Sequence, residues 1–144
     1  MNCSIARALD VLGESWTLLI LRDVLSGLRR FDQLETSLGI ATNVLTARLK
    51  RLCALGLLER RVYRERPVRY EYLATDRARD LGPVLIALLQ WGDKYLAGET
   101  GPPRTLVHNG CGHATIAELV CASCGEPIAE RGVRLVGPLR AKSA

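Results

Sequence analysis

Two short helical stretches joined by a glycine turn, and followed at once by an alternating segment, constrain this chain more than any other feature. Asp32 can cap a helix, with Glu35 three positions on, close to a capping box. That helix stops at Gly39, and Ile40-Ala41 makes a tight turn. Thr42 can cap a second helix, which carries Leu45, Leu49 and Leu52 on one face and ends at Gly56. Two such helices around a short glycine-containing turn form a helix-turn-helix. After Gly56 the period becomes two. Leu58, Arg60 and Val62 alternate with Glu59, Arg61 and Tyr63; Arg66-Pro67 interrupts, and Val68 to Tyr72 alternates again. The segment reads as a β-hairpin with a basic tip, a wing beside the second helix. The expected fold class is therefore mainly α with a small β-hairpin: an α+β winged helix-turn-helix.

The flanking segments read as helices. Ile5, Ala8, Leu9 and Leu12 recur at helical spacing before Gly13, and Ser15 can cap a second helix with Trp16, Leu19, Ile20 and Val24 on its apolar face. Residues 28–31 read as an extended connector. Asp76 is the expected cap of a long last helix from about Arg77 to Leu96, kinked near Pro83. Its apolar stripe, Leu81, Val84, Leu85, Leu88, Leu89 and Trp91, is wider than one small domain needs, which suggests a homodimer built with the first helix of a partner. The domain expectation is a winged helix-turn-helix over 1–97, a linker over 98–103 and a small second unit over 104–144. No internal repeat is expected.

Charge points to a polyanion. Residues 48–79 hold ten basic and four acidic side chains, a local net charge of +6, which leaves −1 for the rest of a chain whose total is +5. Such an excess suits nucleic acid. At 100° per residue from Leu45, Asn43, Thr46, Ala47 and Lys50 fall opposite the core, with Arg51 beside them. These are donors of lengths suited to the major groove, around a small residue that allows close approach. Thr42 at the helix N-terminus can meet a phosphate. Arg64, Arg66 and Arg69 at the hairpin tip can enter a minor groove or clamp the backbone. The DNA-contacting set is thus Thr42, Asn43, Thr46, Ala47, Lys50, Arg51, Arg64, Arg66 and Arg69, on a double-stranded operator. No apolar run approaches the ~18 residues of a membrane span, and the first residues lack the look of a secretory signal. The expected location is the cytoplasm.

Several of these stretches together carry a resemblance. The run from Cys3 through Trp16 to Asp23 is similar to the opening of HxlR-type regulators. Arg30-Phe-Asp-Gln-Leu, Val44-Leu-Thr-Ala-Arg-Leu-Lys-Arg-Leu, Gly56-Leu-Leu-Glu-Arg-Arg, Tyr70-Glu-Tyr and Leu89-Gln-Trp-Gly92 continue it in order. Ser15 stands where the family often has Lys. The resemblance covers residues 3 to about 96. It implies a dimeric winged-helix transcription factor on a pseudo-palindromic operator, joined through its first and last helices, with repression as the expected output. Cys3 stands where some members carry a redox- or electrophile-sensing cysteine, and Arg7 one turn on could supply positive charge. A thiol sensor acting through Cys3, answering an electrophile or another small-molecule effector, is the alternative reading. Cys53 is expected in the core.

The second unit has a chemistry of its own. His108-x-x-Cys111-Gly and Cys121-x-x-Cys124-Gly each place two residues between ligands and a glycine after the second. That spacing lets a tight turn point both side chains at one ion, and three cysteines with one histidine make a usual structural zinc set. His113 rivals His108. The nine residues between the pairs could form a short hairpin bearing Ile116, Leu119 and Val120. The expected cofactor is structural zinc on His108, Cys111, Cys121 and Cys124. A catalytic zinc with Glu118 or Glu126 as base fits less well: such sites keep three protein ligands and an open position, and no His-x-Glu or His-Glu-x-x-His arrangement is present. The chain is therefore not expected to be an enzyme, and a protein-interaction module is permitted without being selected.

Overall fold

The structure is a computed structural model, and it describes residues 3–128 and 132–136. The chain forms two compact units, Met1–Gly92 and Asp93–Ala144. The division falls before the last turn of the final helix, and not in the Gly98–Pro103 stretch. The element order is α1 (Ser4–Leu12), α2 (Thr17–Leu25), α3 (Phe31–Leu38), α4 (Thr42–Ala54), β1 (Leu58–Glu65), β2 (Val68–Ala74), α5 (Asp76–Arg79) and α6 (Gly82–Leu96). This is the expected winged helix-turn-helix.

The core of the first unit forms around α2. Ile20, Leu21 and Val24 meet Leu34 of α3, Ile40 of the turn, Leu45, Leu49 and Leu52 of α4, then Leu57, Leu58 and Ala78. Each fully buried aliphatic side chain in this set is worth about 1.5–3 kcal/mol. The expected face of α4 is the buried one. On α2 the buried stripe is Thr17, Ile20, Leu21, Asp23 and Val24, whereas Leu19, expected within it, stays exposed. Asp23 is buried because it accepts hydrogen bonds from Arg22 Nε and Ser37 Oγ, each at 2.7 Å. It fastens α2 to α3, and thereby to the helix-turn-helix.

Several caps differ from the sequence expectation. Trp16, in a left-handed conformation (φ 76°), precedes α2 in place of Ser15. α3 begins at Phe31, and Gln33 Oε1 accepts from the amides of Arg29 and Arg30 at 3.1 and 3.0 Å. Asp32 instead sits in the first turn, where the helix dipole favours an acid. Ala41 is the N-cap of α4, with Thr42 already helical. The long last helix is split. Thr75 caps the short α5, accepting from the Ala78 amide, and α6 begins at Gly82. Pro83 then lies in a first turn, where its missing N–H leaves nothing unpaired, so the expected kink is a break before the helix.

The wing is antiparallel, from Leu58 opposite Ala74 to Glu65 opposite Val68, with a register shift between Val62 and Arg64. The Tyr72 amide donates to Arg29 O at 2.7 Å, and Arg30 bridges Glu71. The extended connector therefore docks the hairpin beside α3.

In the second unit, the hairpin expected between the two ligand pairs is not what the chain forms. Each pair lies inside its own turn, closed by one bridge: Val107 with Ala114, and Val120 with Pro127. Ile116, Leu119 and Val120 are exposed.

Candidate nucleic-acid interface

The outward face of α4 carries Thr42, Asn43, Thr46, Ala47 and Lys50, all exposed. Among the described residues nothing engages the Asn43 amide or the Lys50 ammonium. The other two polar groups are tied locally. Thr42 Oγ1 donates to the Glu35 carboxylate, linking the two helices of the motif across the turn. Thr46 Oγ1 donates to Thr42 O one turn back, at 2.7 Å. Its oxygen still has lone pairs to offer a donor outside.

Arg51 departs from the expected set. Its Nη2 donates to Asp10 O at 3.2 Å, and its Nε lies 3.6 Å from the Glu14 carboxylate. Arg48, one turn back, also pairs with Glu14, while its buried Nε has no partner among the described residues. Glu14 stands in the corner between α1 and α2. Arg48 and Arg51 therefore brace α4 against that corner, and Arg51 is a positioning residue for the face that Asn43 and Lys50 present. The helical wheel placed Arg51 near the groove side. It could not show that Glu14, far off in sequence, would lie beside the guanidinium.

The wing arginines sort in the same way. Arg61 forks onto Glu71 Oε1, at 3.1 and 2.6 Å. Arg60 stacks 4.2 Å over the Tyr70 ring and Arg30 4.7 Å over Tyr63. Arg64, Arg66 and Arg69, at the tip, are exposed, and no described residue engages their side chains. The structure thus leaves three guanidinium groups on the wing and one ammonium on α4 available to an anion.

Between α4 and the wing lies a cleft of about 450 Å³, lined by Thr46, Lys50, Cys53, Arg60 and Tyr72. No sequence signal marks it, because it exists only once the hairpin folds against the helix. Burial pushes the Cys53 thiol above its ordinary range, partly opposed by Arg60, and burial does the same to the Tyr72 phenol. Cys53 is half-buried at the edge of the core. Cys3 is half-buried too, at the N-cap of α1. The Arg7 guanidinium donates to Ser4 Oγ at 3.3 Å.

In the second unit, His108 Nδ1 lies 3.3 Å from Cys111 Sγ. The Cys121 sulfur accepts first from the backbone amides of Cys124 and Ser123 and then from the Cys124 thiol, which lowers its pKa. His113 contributes its carbonyl, which accepts from the His108 amide at 3.0 Å. The two pairs remain separate: among the described residues no three His, Cys, Asp or Glu side chains gather at one point. No helix among those residues is long and apolar enough to cross a membrane.

Comparison with known proteins follows the same outline. Residues 11–100 match the family of HxlR-like helix-turn-helix proteins. An uncharacterised HTH-type transcriptional regulator of Mycobacterium tuberculosis is 47% identical over 130 residues, covering 90% of this chain and 82% of the relative. The crystal structure of PA1607, a candidate transcription factor, superposes with a TM-score of 0.83 at 36% identity, covering 94% of each chain. The redox regulator HypR in its reduced form gives 0.61 at 29% identity, covering 64% of this chain and 92% of that one. The first two likenesses extend past the winged unit into the second.

Proposed function

The chain belongs to the HxlR-like helix-turn-helix family and is a transcriptional regulator, and on that premise we propose that it acts in the cytoplasm as a homodimeric repressor whose two α4 helices read the halves of a pseudo-palindromic operator. The observation that carries this is the unpartnered set Asn43, Lys50, Arg64, Arg66 and Arg69. These are basic and amide groups that no described residue engages, and they lie on α4 and at the wing tip. Asn43 and Lys50 read base edges from α4, with Thr46 accepting beside them and Ala47 letting the helix approach. The tip arginines hold phosphates or the minor groove. Thr42 contributes its position at the helix N-terminus, its hydroxyl being committed to Glu35.

Dimerisation is supported by what one chain leaves uncovered. Ile5 is 71% exposed and Leu9 58% on α1, and Val84, Leu88 and Leu89 are exposed on α6. A lone domain rarely leaves that much apolar side chain in water. The test is selection of bound genomic fragments by the purified protein, followed by binding to a selected site. Asn43→Ala with Lys50→Ala should lose preference for that site over scrambled DNA. Undiminished preference would remove α4 as the reader.

A second reading rests on the likeness to a redox regulator and on the half-buried thiol of Cys3 at the start of α1. Oxidant or electrophile at Cys3 would then release the operator. Release that persists unchanged in Cys3→Ser would exclude that site.

A further inference from the structure

The second unit contains a repeat that was not expected from the sequence. The His108 amide donates to His113 O at 3.0 Å, and the Cys121 amide to Glu126 O at 2.8 Å. The amides of Gly112 and Gly125 each donate at 2.7 Å, to His108 O and Cys121 O. Thr115 donates to Leu106 O and Ile128 to Leu119 O, and the bridges Val107–Ala114 and Val120–Pro127 complete the series. Every one of these pairs is offset by thirteen residues. Gly112 and Gly125 take the same left-handed conformation, φ 72° and 77°, which a side chain resists. Residues 106–115 and 119–128 are thus the same turn built twice, with Leu, Val, Cys and Gly identical at four matched positions.

From this we propose that the unit binds one zinc ion through His108, Cys111, Cys121 and Cys124, with each turn acting as one half of the site. The superposition of the turns selects the ligands. Cys121 matches His108 and Cys124 matches Cys111, so each turn offers its first and fourth residue. His113 matches Glu126, at the place where the backbone closes the turn, so it is not the histidine ligand. Tetrahedral zinc with bonds of about 2.05 Å to nitrogen and 2.3 Å to sulfur holds those two atoms about 3.6 Å apart. The 3.3 Å between His108 Nδ1 and Cys111 Sγ is already close to that span. Thiols are bound as thiolates. On binding, the three cysteines release their protons to solvent, the histidine enters neutral, and the four ligands close the shell, leaving no position for a substrate.

Gly110 supports the same assignment. A Cβ there would fall 2.8 Å from His108 Cε1. The imidazole lies over bare backbone on its way to Cys111, and a side chain at 110 would displace it. The matched position in the second turn is Ser123, tolerated because the sulfur of Cys121 carries no ring. The structure does not bring the two pairs to one point, so binding one ion through both requires one turn to close onto the other through residues 116–118.

The test uses the full chain, purified under reducing conditions without chelator. Elemental analysis should give one zinc per chain, and cobalt(II) in its place should show tetrahedral d–d bands with thiolate charge transfer. His108→Ala and Cys121→Ser should lose stoichiometric metal, while His113→Ala keeps it. Helical circular dichroism of each variant checks that the winged unit still folds. Gly110→Ser should weaken zinc binding about ten- to a hundredfold in a chelator competition. Reduced wild-type chain that takes up no zinc would overturn the proposal. So would a Cys121–Cys124 disulfide formed in the presence of reductant, or metal lost in His113→Ala but kept in His108→Ala.

Discussion

The wing makes a quantitative prediction through salt. Arg64, Arg66 and Arg69 are exposed at the hairpin tip, and no described residue engages them, whereas Arg61 is held by Glu71 at 2.6 Å. If the three tip arginines meet phosphates, each neutralised phosphate contributes about 0.9 to the slope of log K against log salt. A homodimer presents two wings. Arg66→Gln should therefore flatten the slope by about 1.8, and the triple Gln variant by about 5. Arg61→Gln should leave it within error, because that cation is already neutralised inside the protein. The assay is fluorescence anisotropy on a selected operator fragment across a series of potassium chloride concentrations, with the winged unit's melting temperature as the folding control. A triple variant that binds more weakly at every concentration with an unchanged slope would refute the reasoning. The arginines would then act on hairpin shape or on bases, and not as counter-charges.

Other predictions follow from the core and from the brace on α4. Leu49→Ala, at a site only 1% exposed, should cost about 2–5 kcal/mol in urea unfolding. Glu14→Gln removes the shared partner of Arg48 and Arg51; it should cost about 1 kcal/mol and weaken operator binding while leaving the salt slope as it was. A lost slope would instead place Glu14's partners on phosphate. Cys53 and Tyr72 are both raised by burial, so the folded state keeps protons that the unfolded chain gives up. The stability they contribute is complete below the unfolded pKa values and is lost as pH rises through the folded ones. The urea midpoint should fall from about pH 8.5 upward, and Cys53→Ala should shallow the first part of that fall.

Much of this was legible in the chain because it is periodic. Leu45, Leu49 and Leu52 recur at helical spacing and are buried; Leu58 to Tyr72 alternates and forms the wing. What the sequence hid depends on tertiary partners. Arg51 is drawn from the groove side by Glu14, and Leu19 is exposed because Thr17 and Leu21 take the inward positions on α2. Caps moved by a residue or two: Trp16 and Ala41 stand at the N-cap positions of α2 and α4 without a side-chain cap hydrogen bond. The full extent of the repeat, 106–115 with 119–128, is hidden in the sequence because most of its matched positions differ. Backbone hydrogen bonds, indifferent to those differences, reveal it.

The contact between His108 and the bare backbone of Gly110 also orders the changes open to this chain. A ring at 108 requires glycine at 110, whereas a sulfur at 108 tolerates Ser, as the sister turn shows at Cys121 and Ser123. A lineage moving toward four cysteines must therefore replace the histidine first and fill position 110 afterwards. Taken in the other order, the same two substitutions pass through a state in which a side chain at 110 crowds the imidazole. If the turns hold zinc, positions 108 and 110 should be epistatic, with a side chain at 110 costing affinity only while histidine stands at 108.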